Sequence, residues 1–95
     1  MTLGEDRLVA TQQTFRDANE RLQAALDPQV PPESLLPFLC ECPDEECFGR
    51  IELVGGDYEA IHVHRDRYVV IPGHPTVVGE EVVETQPHFQ IMRKV

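Results

Sequence analysis

Residues 38–48 read FLCECPDEECF, and this stretch holds all three cysteines of the 95-residue chain, Cys40, Cys42 and Cys47. Three thiols so close together, in a chain with no other cysteine, predict a metal site. One tetrahedral zinc ion can collect several thiolates from a single tight loop, and Pro43 and Gly49 suit such a loop. We therefore predict a structural zinc site around which the fold is organised.

The predicted site needs a fourth ligand, and the chain has four histidines. His74 ranks first because it stands in a Pro-Gly-His-Pro turn just after the most strand-like run of the chain. His64 ranks second and His62 third. If their segment is helical, these two side chains point in different directions, so they would not bind one metal together. For His62, His64 and His88 we prefer an exposed surface position. The predicted ligands are Cys40, Cys42, Cys47 and His74.

Hydrophobic periodicity predicts an α+β protein with one structural domain overall. Residues 1–27 form an amphipathic N-terminal helix, which Asp27-Pro28 ends because the residue before a proline avoids helical geometry. Residues 28–37 form a proline-rich linker. Residues 38–95 form a small α+β zinc-binding domain with a mainly antiparallel sheet. Strands are expected at 37–42, 50–54, 67–72, 80–85 and 88–95, with a helical turn at 58–63 capped by Asp57.

The apolar residues of the predicted helix recur every seven positions, at Leu8, Phe15 and Leu22. Such a stripe is typical of a helix that packs on an apolar surface. We prefer packing on the protein's own domain. A protein partner or a homodimer that uses the same face stays open, because a heptad stripe can also pair two helices.

The composition argues against several classes of function. The chain has 8 basic and 17 acidic residues, a net charge of −9. A surface of that sign repels phosphate backbones, so we expect no nucleic-acid partner. No apolar run approaches the ~20 residues of a membrane span. Glu5 and Asp6 stand where a signal peptide would have basic residues, so we expect a cytoplasmic protein, in which clustered cysteines bind metal more often than they form disulfides.

The three cysteines are open to other interpretations. A Cys40–Cys42 disulfide would close a strained ring, and any pairing of three thiols leaves one over. A redox- or metal-responsive regulator would release zinc on oxidation. An enzyme would use an open zinc position, or Cys47 as nucleophile with His74 as base, and is less favoured. Simply buried, inert thiols are disfavoured by acidic neighbours such as Glu41.

Several short segments spread over most of the chain form a combined pattern. They are Phe15-Arg16, Asn19-Glu20-Arg21, residues 38–42 with Cys47, residues 51–53, 57–59 and 67–70, Pro72-Gly73-His74, and residues 81–84. In this pattern the chain resembles a group of small bacterial proteins, chiefly from actinobacteria, that has no established activity. The resemblance implies that the three cysteines and His74 belong to one site. His62 and His64 depart from the group, which has arginine or other polar residues there. The function we expect is protein interaction or regulation.

Overall fold

The computed structural model describes residues 3–44, 46–47, 49–74 and 79–94. Its elements, in chain order, are α1 (Leu3–Leu26), a 3-10 turn (Asp27–Gln29), β1 (Leu35–Leu39), β2 (Arg50–Val54), α2 (Gly55–His62), β3 (Arg67–Val70), β4 (Glu80–Thr85) and β5 (Gln90–Lys94). The predicted α+β class, with an N-terminal helix and small antiparallel sheets, is confirmed. No helix in the described ranges is long and apolar enough to cross a membrane.

Within the described ranges, the strands form two antiparallel sheets. Strands β1 and β2 pair as a hairpin in which Phe38 lies opposite Ile51. The second sheet has the order β3-β5-β4, with Tyr68 opposite Met92. Its β4–β5 pair is the hairpin that the sequence predicted. A backbone hydrogen bond from Glu41 N to the Val69 carbonyl, 2.8 Å long, links the end of the first hairpin to β3.

The core lies where the two sheets and α2 meet. Alternate residues of β1 and β2 point inward, as expected for strands with one buried face. The ring of Phe38 stacks on that of Tyr58 from α2, with centroids 4.2 Å apart and planes 7° apart. The buried cluster comprises Leu36, Phe38, Cys40, Cys42, Ile51, Leu53, Tyr58, Val69, Val70 and Met92. Two of the predicted ligands therefore belong to the core.

Helix α1 packs on the rest of the domain largely through a polar face, which the apolar stripe did not predict. Gln12, Arg16, Asn19 and Gln23 are all buried, and their spacing places them on one side of the helix. Among the stripe residues, Leu22 is half-buried and contacts the core. Phe15 is also half-buried, and the side chain of Leu8 lies outside the described residues.

Several element boundaries differ from the prediction: β3 ends at Val70 and not at residue 72, β5 is Gln90–Lys94 and not 88–95, and β1 and α2 also have other bounds. Strand β1 begins at Leu35, within the segment predicted as linker, because its residues 35–39 pair with β2 in a continuous ladder. Helix α2 begins at Gly55, and its N-cap is Val54, which makes no side-chain cap hydrogen bond. Asp57 lies in the first turn of α2 and is not the cap, so that detail of the prediction was wrong.

Candidate metal centre

The structure brings Cys40, Cys42, Cys47 and His74 together. The three cysteines lie in the connection between β1 and β2, and His74 follows β3 in the turn at Pro72-Gly73. One ligand atom from each of the four residues lies within 4.8 Å of every other. This group could hold a metal ion. The two segments are 27 positions apart in the chain at the Cys47–His74 contact, so the cluster is a product of the tertiary fold.

The spacing of the donors suits a tetrahedral ion. Around zinc, with sulfur at about 2.3 Å and nitrogen at about 2.0–2.1 Å, ligand atoms are separated by about 3.5–3.8 Å. Cys47 Sγ lies 3.3 Å from His74 Nε2, and the whole set lies within 4.8 Å. Shifts of about 1 Å or less, within the reach of side-chain rotation, would bring all four donors to tetrahedral separations.

Backbone hydrogen bonds shape the loop that carries the thiols. Cys40 N donates to the Gly49 carbonyl at 3.0 Å, which closes the base of the loop. Cys47 N donates to the Asp44 carbonyl at 3.1 Å, and Glu46 N donates to the Asp44 side chain at 2.9 Å. These two bonds form a tight turn that directs Cys47 back toward the other two cysteines.

The segment that follows β3 contributes more to the site than His74 alone. Ile71 N donates to Cys40 Sγ at 3.3 Å, so a ligand sulfur accepts a hydrogen bond from the segment that leads to His74. Gly49 packs against the same residue: a Cβ added at Gly49 would lie 3.0 Å from Ile71 Cδ1. The absence of a side chain at position 49 therefore permits the close approach of the cysteine loop and the end of β3.

The three thiols hold one negative charge more easily than three. A hydrogen bond from the Cys40 thiol lowers the pKa of Cys42 from 9.0 to about 6, against the opposing effect of burial. The same hydrogen bond, together with burial, raises the pKa of Cys40 far above its usual range. Burial also raises the pKa of Cys47. A bound cation would remove this conflict, because it favours the thiolate form of every ligand.

Glu41, which separates Cys40 from Cys42, is fully buried, and this corrects the expectation that its charge marks an exposed segment. Its Oε2 accepts from the Tyr58 hydroxyl at 2.6 Å and from Asn19 Nδ2 at 3.0 Å. Its Oε1 accepts from Val69 N at 2.9 Å. The carboxyl group therefore has partners on α1, α2 and β3, which compensate for its removal from water.

His62 is likewise buried, at 7% exposure, so the predicted surface position is wrong. Its Nδ1 donates to the Tyr58 carbonyl at 2.8 Å, because a carbonyl oxygen can only accept. Its Nε2 forms a hydrogen bond of 2.7 Å with Glu41 Oε1. The ring also stacks on Tyr58 at 3.9 Å. Both ring nitrogens are thus engaged, and His62 supports the core beside the cysteine loop.

The remaining histidines lie apart from the cluster. His64 and His88 are exposed, as predicted. The buried set that sequence reasoning missed consists of Glu41, His62 and the polar face of α1. One signal could have revealed part of it: Gln12, Arg16, Asn19 and Gln23 are polar residues at helical spacing, on the face directly beside the apolar stripe.

No model of a protein family matches the chain, and neither a curated protein nor a solved structure was found to match it.

Proposed function

We propose that this protein binds one zinc ion through Cys40, Cys42, Cys47 and His74, and that the ion is structural. The observation that carries the proposal is the convergence of four donor atoms within 4.8 Å from two separate segments of the chain. A disulfide is disfavoured because any pairing of three thiols leaves one over, and the convergence of a histidine on the thiols fits a metal site better.

The donor set favours zinc over other common ions. Thiolates and imidazole suit zinc, whereas magnesium and calcium prefer oxygen ligands. Four protein ligands complete a tetrahedron and leave no position for a reactive water molecule. A closed site of this type joins two segments of a small chain, and that is the role of structural zinc in domains with modest cores.

The cellular role that we propose is protein interaction or regulation in the cytoplasm. The surface supports a protein partner, because the net charge of −9 disfavours the binding of nucleic acid. Strand β4 exposes Val82 and Val83 by 41% and 38% at the edge of its sheet. The face of α1 around Leu8, Phe15 and Leu22 remains a proposed site for a partner or for a second copy of the chain.

A redox- or metal-responsive role is the second candidate, and the burial of the thiols favours one form of it. Cys47 is half-buried, whereas Cys40 and Cys42 are exposed by 1% and 0%. Peroxide would therefore reach Cys47 first and convert its thiolate to a sulfenic acid, with hydroxide as the other product. Attack by the Cys42 thiolate would then displace hydroxide, form a disulfide and remove two ligands from the metal.

Cobalt substitution tests the proposal and its ligands. Co²⁺ titration of the metal-free protein should give sulfur-to-cobalt charge-transfer bands and intense tetrahedral d–d bands, saturating at one ion per chain. His74→Ala should change the d–d bands and weaken binding, whereas His88→Ala, a histidine outside the cluster, should change neither. Ready release of zinc by peroxide but not by chelator would favour the sensor. A folded wild-type chain that takes up neither cobalt nor zinc would refute the proposal and direct attention to the Cys47–His74 pair as nucleophile and base.

A further inference from the structure

The buried Glu41 side chain lies at a junction between the two halves of the proposed zinc site. In an extended segment successive side chains point to opposite sides, so Cys40 and Cys42 share one side and Glu41 takes the other. The carboxylate is 0% exposed and has four partners. They are the Tyr58 hydroxyl, Asn19 Nδ2, Val69 N and His62 Nε2.

Two of the hydrogen bonds of Glu41 join it to the same residue of β3. Its backbone N donates to the Val69 carbonyl at 2.8 Å, and its Oε1 accepts from Val69 N at 2.9 Å. Both polar groups of the Val69 backbone are thus directed at Glu41. The next contact along the strand, two residues later, is the hydrogen bond from Ile71 N to Cys40 Sγ at 3.3 Å. Glu41 therefore fixes the register between the cysteine segment and β3.

That register determines where His74 lies. Only Pro72 and Gly73 separate Ile71 from His74. His74 is three residue steps from Ile71, so their Cα atoms can be at most about 10–11 Å apart, at about 3.3–3.6 Å for each extended residue. Once Val69 and Ile71 are paired with Glu41 and Cys40, the imidazole is confined to the neighbourhood of the thiols.

Helix α1 holds the other oxygen of the same carboxylate. Asn19 Nδ2 donates both to the Leu39 carbonyl, at 2.9 Å, and to Glu41 Oε2, while Asn19 Oδ1 accepts from Leu39 N at 2.7 Å. The bonds to Leu39 fix the orientation of the amide, so its Nδ2 can only donate to Glu41. Glu41 is consequently held from two sides, by groups that are independent of any metal.

We propose that Glu41 is a positioning residue of the metal centre, which sets the distance between the paired cysteines and His74 before the ion binds. The proposal rests on the zinc site proposed above and adds that the site is preformed. Groups that orient ligands without touching the metal typically change its affinity by about 10–100-fold when they are replaced.

Glutamine at position 41 is the sharpest substitution, because it keeps the shape of the side chain. It carries one acceptor oxygen and one NH₂ group, whereas Val69 N and Asn19 Nδ2 both require an acceptor. In either orientation the NH₂ group of glutamine would face one of these donors. Glu41→Gln therefore disturbs one of the two attachments, with no change in side-chain volume.

A double-mutant cycle separates positioning from general destabilisation. Zinc affinity is measured by chelator competition for wild type, Glu41→Gln, His74→Ala and the double variant. We expect Glu41→Gln to weaken binding about 10–100-fold in the wild-type background. If Glu41 acts through His74, its effect should fall to within about threefold when His74 is already absent, since coupled residues are non-additive.

Gln23→Met supplies a matched control. Gln23 is also a buried polar residue, and its Nε2 joins α1 to α2 through the Gly55 carbonyl and Glu59 Oε1, at 3.1 Å and 2.8 Å. Its loss should lower the melting temperature, and any effect on zinc affinity should be the same with and without His74. An equal effect of Glu41→Gln in the two backgrounds would overturn the positioning role while leaving the zinc site intact. A wild-type chain that binds no zinc would instead refute the site itself.

Hydrogen exchange in the metal-free wild type keeps the proposal testable even if Glu41→Gln does not fold. A preformed site requires that the amides of Val69 and Ile71 stay protected without metal, because their acceptors are Glu41 Oε1 and Cys40 Sγ. Protection close to that of the Phe38 amide in β1 supports the inference. Rapid exchange at Val69 in the metal-free protein overturns it.

Discussion

Replacing Tyr58 with phenylalanine should lower the free energy of unfolding by about 2 kcal/mol, because a buried carboxylate loses one hydrogen bond. The Tyr58 hydroxyl donates to Glu41 Oε2 at 2.6 Å. Its ring would stay between those of Phe38 and His62, at 4.2 Å and 3.9 Å, so only the hydroxyl changes. Hydrogen bonds to charged groups contribute about 1.5–3 kcal/mol. In a domain of this size, a loss of about 2 kcal/mol lowers Tm by about 8–16 °C.

Urea denaturation of the zinc-loaded protein, followed by circular dichroism, measures this loss. Tyr68→Phe is the matched control. Tyr68 is also buried, at 5% exposure, but within the described ranges its hydroxyl has no hydrogen-bond partner. Its ring contacts the cations of Arg16 and Lys94, which phenylalanine would still contact. Equal losses of stability in the two variants would refute the reasoning, since the Glu41 hydrogen bond would then contribute nothing measurable.

Three further outcomes are expected. In the metal-free protein, ultraviolet absorbance should show one thiolate appearing as the pH rises through about 6. The reason is that the pKa of Cys42 is lowered from 9.0 to about 6, while the pKa values of the other two thiols are raised. Three thiols that titrate together near 9.0 would contradict this prediction. Gly49→Ala should weaken zinc binding, since the added Cβ would lie 3.0 Å from Ile71 Cδ1. Gly56→Ala should leave zinc binding unchanged, because no atom lies within 4 Å of a Cβ added there. Equal zinc affinities of the two variants in chelator competition would contradict this prediction. Chelator treatment should lower Tm in the wild type and leave it unchanged in Cys42→Ser, and an unchanged wild-type Tm in a thermal scan would exclude a structural ion.

Much of the fold follows from local patterns in the sequence. The alternation in residues 50–54 predicts β2, and the run Tyr-Val-Val at residues 68–70 predicts β3. The β4–β5 hairpin follows from two extended runs around Gln86-Pro87. Each of these signals depends on residues that are close in sequence. The same holds for the cysteine loop, whose three thiols reveal themselves by spacing alone.

The parts that were missed depend on contacts between distant residues. Glu41 looks exposed in the sequence because its neighbours are acidic, yet its partners at Asn19, Tyr58 and Val69 lie 17 to 28 positions away. His62 also looks like a surface residue in the sequence, because nothing near it in the chain shows that it will pair with Glu41. Burial of a charged side chain is decided by tertiary partners, and periodicity does not report them.

Helix α1 is a second case in which sequence periodicity did not predict which side chains are buried. Its apolar stripe drew attention to Phe15 and Leu22, while Asn19 and Gln23, on the polar face, make the specific contacts to β1 and α2. A polar face is normally the solvent face. Here it is used for hydrogen bonds to backbone groups and to Glu41, which fix the helix in one orientation on the domain.

Native mass spectrometry of the untagged protein tests the central claim most directly. We predict one zinc ion per chain in the wild type, lost on acidification, and greatly reduced occupancy in Cys42→Ser and His74→Ala but not in His88→Ala. A folded wild-type chain that carries no zinc, and takes up none when the ion is supplied, would contradict the account.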